Sequence, residues 1–137
     1  MTKVEQLLIK YREQIIYLVF GVLTTLVSII VYGALHLMAW PYQLAYWSAW
    51  FLSVLFAYLT NRHWVFRSQA QGFLAILRET FNFYLARLLT GLLGSAIMGL
   101  GVGVLHQNDF IWNIIQNIFV IIANYALSKW FIFKGKE

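Results

Sequence analysis

The 137 residues contain no cysteine, one proline and five acidic side chains. Without thiols, a disulfide framework, a thiolate nucleophile and a cysteine-based metal site are all excluded. Acid is as scarce where chemistry would need it. There is no Asp-x-Asp, no His-Glu-x-x-His and no carboxylate pair, and no acidic residue falls within an apolar stretch, so the sequence argues against an enzyme and offers no catalytic residue. His36, His63 and His106 stand apart at the ends of such stretches and read as interfacial side chains, leaving no metal site. A Walker-type phosphate loop is missing as well, which excludes ATP drive within this chain; no cofactor is expected. Charged residues make up only 11% of the chain, and an ordinary soluble domain carries about twice that.

What the chain has is hydrocarbon: 61% of its residues are hydrophobic. A helix crosses a bilayer with roughly 20 apolar residues. Four stretches qualify, at about 15–37, 42–60, 80–105 and 110–128, and only the third carries a charge, Arg87. The first has basic residues ahead of it, as a signal peptide would. It is too long for a signal h-region, though, and no small-x-small cleavage site follows. The predicted fold is therefore all-α, a single membrane domain over 1–137 with four transmembrane helices. A net charge of +5 would suggest nucleic acid in a soluble protein. Here the basic residues fall in short tethers between apolar runs, so no nucleic-acid partner is expected.

Lys3, Lys10 and Arg12 precede the first stretch, Arg62, Arg67 and Arg78 separate the second from the third, and Lys129, Lys134 and Lys136 follow the fourth. The two remaining loops have no Lys or Arg. Positive residues stay in the cytoplasm, so both termini are placed there. Trp40, Trp47, Trp64, Trp112 and Trp130 sit near span ends, as an interfacial belt would. Val4, Leu7, Leu8 and Tyr11 have the spacing of a short amphipathic helix, and Phe73, Leu74, Ile76 and Leu77 could dip into the interface from the central loop.

The chain also repeats itself at a constant offset of 67 residues. Tyr58, Arg62, Val65, Phe66 and Arg67 match Tyr125, Lys129, Ile132, Phe133 and Lys134; Tyr17, Leu18 and Ser28 match Tyr84, Leu85 and Ser95. The predicted repeats, about 15–67 and 82–134, each hold two spans, so both copies enter from the same side and the repeat is parallel. The duplicated basic and aromatic segment at each second span's end suits phosphate and a ring face. It equally suits simple anchoring at the interface.

Several helix faces are small or polar. Tyr17, Gly21, Thr24, Ser28 and Tyr32 share one in the first span, and Ala45, Ala49, Ser53, Ala57 and Asn61 recur every four residues in the second. Tyr84, Arg87, Gly91, Gly94, Ser95 and Met98 share one in the third, with Gly99 and Gly103 as a GxxxG pair. Asn113, Gln116, Asn117 and Asn124 follow in the fourth. Close packing accounts for the small residues. It accounts less well for four amides beside an arginine. A lipid-facing Arg87 would cost on the order of 3 kcal/mol. It must snorkel to the headgroups, bond to the amides of the fourth span, or meet an anionic ligand.

Tyr17–Thr25 (YLVFGVLTT), Asn61–Phe66 (NRHWVF), Phe83–Arg87 (FYLAR) and Asn124–Phe133 together resemble the GtrA-like family of small four-helix membrane proteins across nearly the whole chain. The second copy departs from the Asn-Arg pattern, with Ser128-Lys129 in its place. The resemblance implies a flippase of the bacterial cytoplasmic (inner) membrane that carries a polyprenyl-phosphate-linked sugar, such as undecaprenyl-phosphate glucose, to the outer leaflet. There a glycosyltransferase would use it on O-antigen, teichoic acid or another envelope polysaccharide. On that reading Arg62, Arg87 and Lys129 hold the phosphate, and Asn61, Thr24, Asn113, Gln116, Asn117 and Asn124 line a polar groove for the sugar. Trp64, Tyr84 and Trp130 are the aromatics near the headgroup. The alternatives are a membrane anchor or accessory subunit of a glycosyltransferase, and a small-molecule exporter. Cation exporters of this size need an intramembrane carboxylate, which the sequence lacks. Four spans are few for an enclosed path, so a homodimer is a further expectation.

Overall fold

A computed structural model describes residues 2–133, and their regular structure is entirely helical. Lys134, Lys136 and the end of the second repeat lie outside the described residues. The chain divides into two compact units, residues 1–68 and 69–137.

Unit 1 opens with α1 (Lys3–Lys10), started by a reciprocal cap. The Glu5 backbone N–H donates to the Thr2 hydroxyl at 3.1 Å, and the Thr2 backbone N–H donates to the Glu5 carboxylate at 2.9 Å. All of α1 is exposed, its apolar residues Val4, Leu7 and Leu8 included. Tyr11, with φ −106° and ψ 22°, breaks the helix before α2 (Arg12–Leu37). After Leu37 the chain turns through Ala39 (φ 63°) and Pro41 into α3 (Tyr42–Thr60). The four-residue ladder of small side chains is the inner face of α3: Ala45, Ala49, Ser53, Ala57 and Asn61 are all buried. Small residues let two helix backbones approach closely, which is how α3 meets α2 without large interlocking side chains.

Unit 2 contains α4 (Phe73–Met98) and α5 (Asp109–Leu127). The third stretch was expected to start near residue 80, with Phe73–Leu77 lying apart in the interface. Instead α4 runs unbroken from Phe73. Between Gly72 and Thr80 there is neither Pro nor Gly to stop a helix. Gly72 itself sets the start, because its φ of 88° is open only to glycine at little cost. The side chain of Asn108 caps α5, accepting from the N–H groups of Phe110 (2.8 Å) and Ile111 (3.2 Å).

Among the described residues, three helical rods are long and apolar enough to cross a membrane: Arg12–Leu37, Phe73–Val104 and Asp109–Ile132. The α3 helix, expected as a fourth span, has no charged residue in its 19 positions. It is less apolar because it carries Tyr42, Tyr46, Trp47, Trp50 and Tyr58. The abundant outward hydrophobic side chains are those of a membrane protein.

Three helices widen into π-helical turns before they end: α3 into Asn61–Val65, α4 into Gly99–Val104 and α5 into Ser128–Ile132. Each closes with an i→i+5 hydrogen bond: Phe66 N–H to the Asn61 carbonyl (2.8 Å), Leu105 to Leu100 (2.9 Å) and Phe133 to Ser128 (2.8 Å). Such turns are rare and concentrate at functional sites.

Candidate functional site

The π turn explains the duplicated motif physically. With about five residues to the turn, Asn61, Val65 and Phe66 fall on the inner face and are buried, while His63 and Trp64 face out and Arg62 is half-buried. In unit 2 the same alternation buries Ser128 and Phe133 and exposes Trp130 and Phe131, with Lys129 half-buried. Buried aromatics anchor both turns: Phe66 against Tyr17 at 6.0 Å between centroids, Phe133 against Phe83 at 5.8 Å.

Arg87 is half-buried, two turns above Glu79 on α4. Its guanidinium carbon lies 4.8 Å from the centroid of the fully buried Phe83 ring, a cation–π arrangement that holds the cation against an apolar face. One turn further, the Thr90 hydroxyl donates to the Asn124 Oδ1 at 2.6 Å and is also 3.2 Å from the Arg87 carbonyl. Thr90 and Asn124 are 4% and 7% exposed, so this is a buried cross-helix bond between α4 and α5, and the same hydroxyl reaches the backbone of Arg87. Sequence reading singled out both Arg87 and Asn124 but missed Thr90, which joins them. The signal available was its i+3 spacing from Arg87.

The other fourth-span amides form a separate group. Gln116 donates to Asn113 Oδ1 at 2.8 Å, and Asn117 reaches the same oxygen at 3.5 Å. Asn113 and Asn117 are exposed, and Gln116 lies against α4 at Gly94, where an added Cβ would meet its carboxamide oxygen. About 12 Å of helix separates Gln116 from Asn124. The predicted amide face is thus two stations, one buried and one open.

The inner face of α4 is Glu79, Phe83, Thr90 and Gly94, offset from the predicted stripe. Gly91, Gly99 and Gly103 all have open space where a side chain would be, so the GxxxG pair is not a packing contact. Gly101 is: a Cβ there would strike the Trp112 indole. The π turn over 99–104 changes the facing residue, which a regular helical wheel misses. Glu79, just outside the stretch expected from about residue 80, is on α4 and only 7% exposed.

Of the remaining predicted residues, Thr24 is turned back on its own helix, donating to the Phe20 carbonyl at 2.8 Å. Its hydroxyl is satisfied locally, an ordinary state for threonine in an apolar helix. Asn61 is 2% exposed, and its Oδ1 has no hydrogen-bond partner. Trp64 stacks on Phe20 with centroids 5.6 Å apart. Lys129 lies 5.7 Å from the Tyr125 ring and 5.5 Å from that of Trp130. Tyr84 is half-buried on α4. Thr24, Asn61, Arg62 and Trp64 belong to unit 1, and the other predicted residues to unit 2.

A model of the GtrA/DPMS transmembrane domain family matches residues 16–133. The cell wall teichoic acid glycosylation protein GtcA of Listeria monocytogenes serovar 1/2a is 37% identical over 124 residues, covering 90% of this chain and 86% of that protein. The protein of the same description from Listeria innocua is 37% identical over a 145-residue alignment that covers 100% of both. The uncharacterized membrane protein YwcD of Bacillus subtilis is 35% identical over 119 residues, covering 86% of this chain and 94% of that one.

Proposed function

We propose, from the premise that this chain belongs to the GtrA/DPMS transmembrane domain family, that it is a flippase for a polyprenyl-phosphate-linked sugar. The single observation that carries this reading is Arg87. It is a cation on an apolar helix, held over Phe83, and one turn further along that helix Thr90 makes a buried hydroxyl–carboxamide bond to Asn124. An intramembrane arginine marks a path for an anion more often than a packing contact. A sugar phosphate headgroup has one negative charge and several hydroxyls, both excluded by hydrocarbon. Its prenyl tail is not, so the head can pass along protein while the tail stays in lipid.

The proposed topology is four spans, α3 being the aromatic-rich fourth, with both termini in the cytoplasm of a bacterium and the chain in its cytoplasmic membrane. Arg62 and Lys129 capture the head at cytoplasmic helix ends. Arg87 then takes the phosphate. Asn124, followed by Gln116, Asn113 and Asn117, replaces water at the hydroxyls. Protein groups do no bond chemistry, and consumption of the sugar outside makes transport run downhill. The likeness to GtcA points to a cell-wall glycan of the teichoic-acid kind as the sugar's destination. An undecaprenyl carrier, use of the sugar on O-antigen, and a homodimer belong to the same proposal.

A second reading has its own support in the exposed Asn113 and Asn117, bonded together with the half-buried Gln116 in a cluster suited to hydrogen-bonding another membrane helix. On that reading the chain is an accessory subunit holding a glycosyltransferase. Reconstitution decides between them. Purified protein in liposomes with a labelled polyprenyl-phosphate hexose is expected to move label between leaflets, and Arg87→Ala and Asn124→Leu to abolish most of it. Equal movement in all three would remove the path. No movement by the wild type would favour the subunit.

A further inference from the structure

Below Arg87, unit 2 has a cavity of about 450 Å³ that the proposed path does not use, lined by Gln69, Arg78, Glu79, Asn82, Phe131 and Ile132 among others. Its volume lies within the range of small-ligand sites, about 300–1,000 Å³. Its chemistry is unlike that of the rest of the chain. Glu79 is a nearly buried carboxylate on an apolar helix, and it continues the inner face that carries Phe83, Thr90 and Gly94, about 12 Å of helix from Arg87. Asn82 is exposed at the cavity, and the Phe131 ring is 67% exposed.

These groups sort by what they can bind. The oxygens of a carboxyl group accept hydrogen bonds, so they suit hydroxyl donors. A carboxamide both donates and accepts, as hydroxyls do. An exposed phenyl face offers apolar area to the C–H face of a pyranose. Arg78, adjacent in sequence and exposed, supplies a cation. A carboxyl group and an amide suit hydroxyl groups better than phosphate alone, and a site for an alkyl chain has no use for any of the polar three. Carboxylate, amide, aromatic face and a cation together fit a hexosyl phosphate.

We infer that this cavity is the hexose subsite of the carrier. Glu79 and Asn82 bind ring hydroxyls, Phe131 covers the ring's apolar face, and Arg78 faces the phosphate. The inference rests on the flippase reading above and adds to it the place where sugar is distinguished from bare lipid phosphate.

Three probes on the full-length protein in detergent test it: a C10 prenyl phosphate, the same prenyl phosphate bearing glucose, and free glucose 1-phosphate. Wild type is expected to bind the glucosylated probe more tightly than the bare prenyl phosphate. Glu79→Gln is expected to weaken the glucosylated probe about tenfold, and Asn82→Ala about fivefold, with under twofold change for prenyl phosphate. Asn82 is exposed, so its variant folds whether or not Glu79→Gln does. Free glucose 1-phosphate competing at the site supports the subsite and identifies a soluble ligand; competition by the prenylated sugar alone supports it with a lipid one. If both variants leave the preference for glucose unchanged, or weaken both prenyl probes alike, the subsite is wrong and the flippase reading stands. If wild type binds none of the three, both fall.

Discussion

In unit 1 the residue 67 positions before Arg87 is Phe20, and it stacks on Trp64 of the π turn with centroids 5.6 Å apart and planes 13° from parallel. In unit 2 the residue matching Trp64 is Phe131, which is 67% exposed and faces the cavity beside Glu79. One π turn is closed by an aromatic partner, and the other is left open beside polar groups. The same contrast recurs deeper. Ala57 occupies in unit 1 the place that Asn124 holds in unit 2, and Leu23 the place of Thr90. Both helix pairs share spacing and helix endings, but the second has exchanged hydrocarbon for a cation, a hydroxyl and an amide. The first reads as scaffold and the second as path.

The largest expected effect tests that division at Arg87. Arg87→Ala is expected to cut the transfer rate of a polyprenyl-phosphate hexose about 30-fold or more, since a hydrogen bond to a charged group contributes about 1.5–3 kcal/mol. Arg87→Lys should keep part of the rate, because it keeps the charge and loses the fork. Phe20→Ala, the matching change in unit 1, should leave more than half. Comparable losses at both positions in a liposome assay would end the assignment of scaffold and path.

Next in size is a transplant. Ala57→Asn alone should destabilise the protein by about 1–3 kcal/mol, the cost of a buried amide without a partner. Leu23→Thr together with Ala57→Asn should recover at least half of that by recreating the Thr90–Asn124 bond. Thermal unfolding in detergent measures both. If the double variant is no better than the single, the two helix pairs do not share the geometry that their sequences suggest.

These residues also show how far the sequence was legible. The Ala45, Ala49, Ser53, Ala57 and Asn61 ladder has strict four-residue spacing, and it is the buried face of α3. Regular α-helical periodicity was enough there. At the outer end of α4 the facing residue was misassigned because the helix widens into a π turn there, and a helical wheel of fixed period loses phase where the turn widens. Gly99 and Gly103 looked like a contact for that reason, although Gly101 is the one against Trp112. Arg87 and Asn124 stood out as costly side chains in apolar runs. Thr90 did not, because threonine in a membrane helix usually bonds its own backbone, as Thr24 does. Glu79 was missed because the third apolar stretch was started at about residue 80, whereas α4 runs through it from Phe73.

The Gly101 contact gives a smaller, local comparison. Unit 1 has Ala34 and Ala45 where unit 2 has Gly101 and Trp112. Gly101→Ala should cost about 1–3 kcal/mol, because the indole is rigid and the helix turn cannot easily shift. Gly99→Ala and Gly103→Ala should be neutral or slightly stabilising. Adding Trp112→Ala to Gly101→Ala restores the unit 1 pair of residue types and should remove the clash. Destabilisation by Gly99→Ala equal to that by Gly101→Ala, read by the same thermal unfolding, would mean that the outer end of α4 packs otherwise.

The smallest effect separates the two helix starts that carry side-chain caps. The first turn of α1 depends on an ionised group and that of α5 does not. Chiefly the Thr2 backbone N–H, and secondarily its hydroxyl, hold the Glu5 carboxyl below the usual carboxylate range. A group depressed on folding stabilises the folded form above its unfolded pKa, and that stabilisation is lost as pH falls through the lowered value. The cap of α1 should therefore be intact at neutral pH and release in the acid range below the ordinary glutamate value. Asn108, which caps α5, has no proton to gain there. Hydrogen exchange measured at neutral and acid pH, after correction for the intrinsic rate, should show lost protection at the Glu5 and Gln6 amides and none at Phe110 and Ile111. In Glu5→Gln the pH response of the first pair should vanish. If both helix starts open together on acidification, the cause is global loosening and not the Thr2–Glu5 exchange.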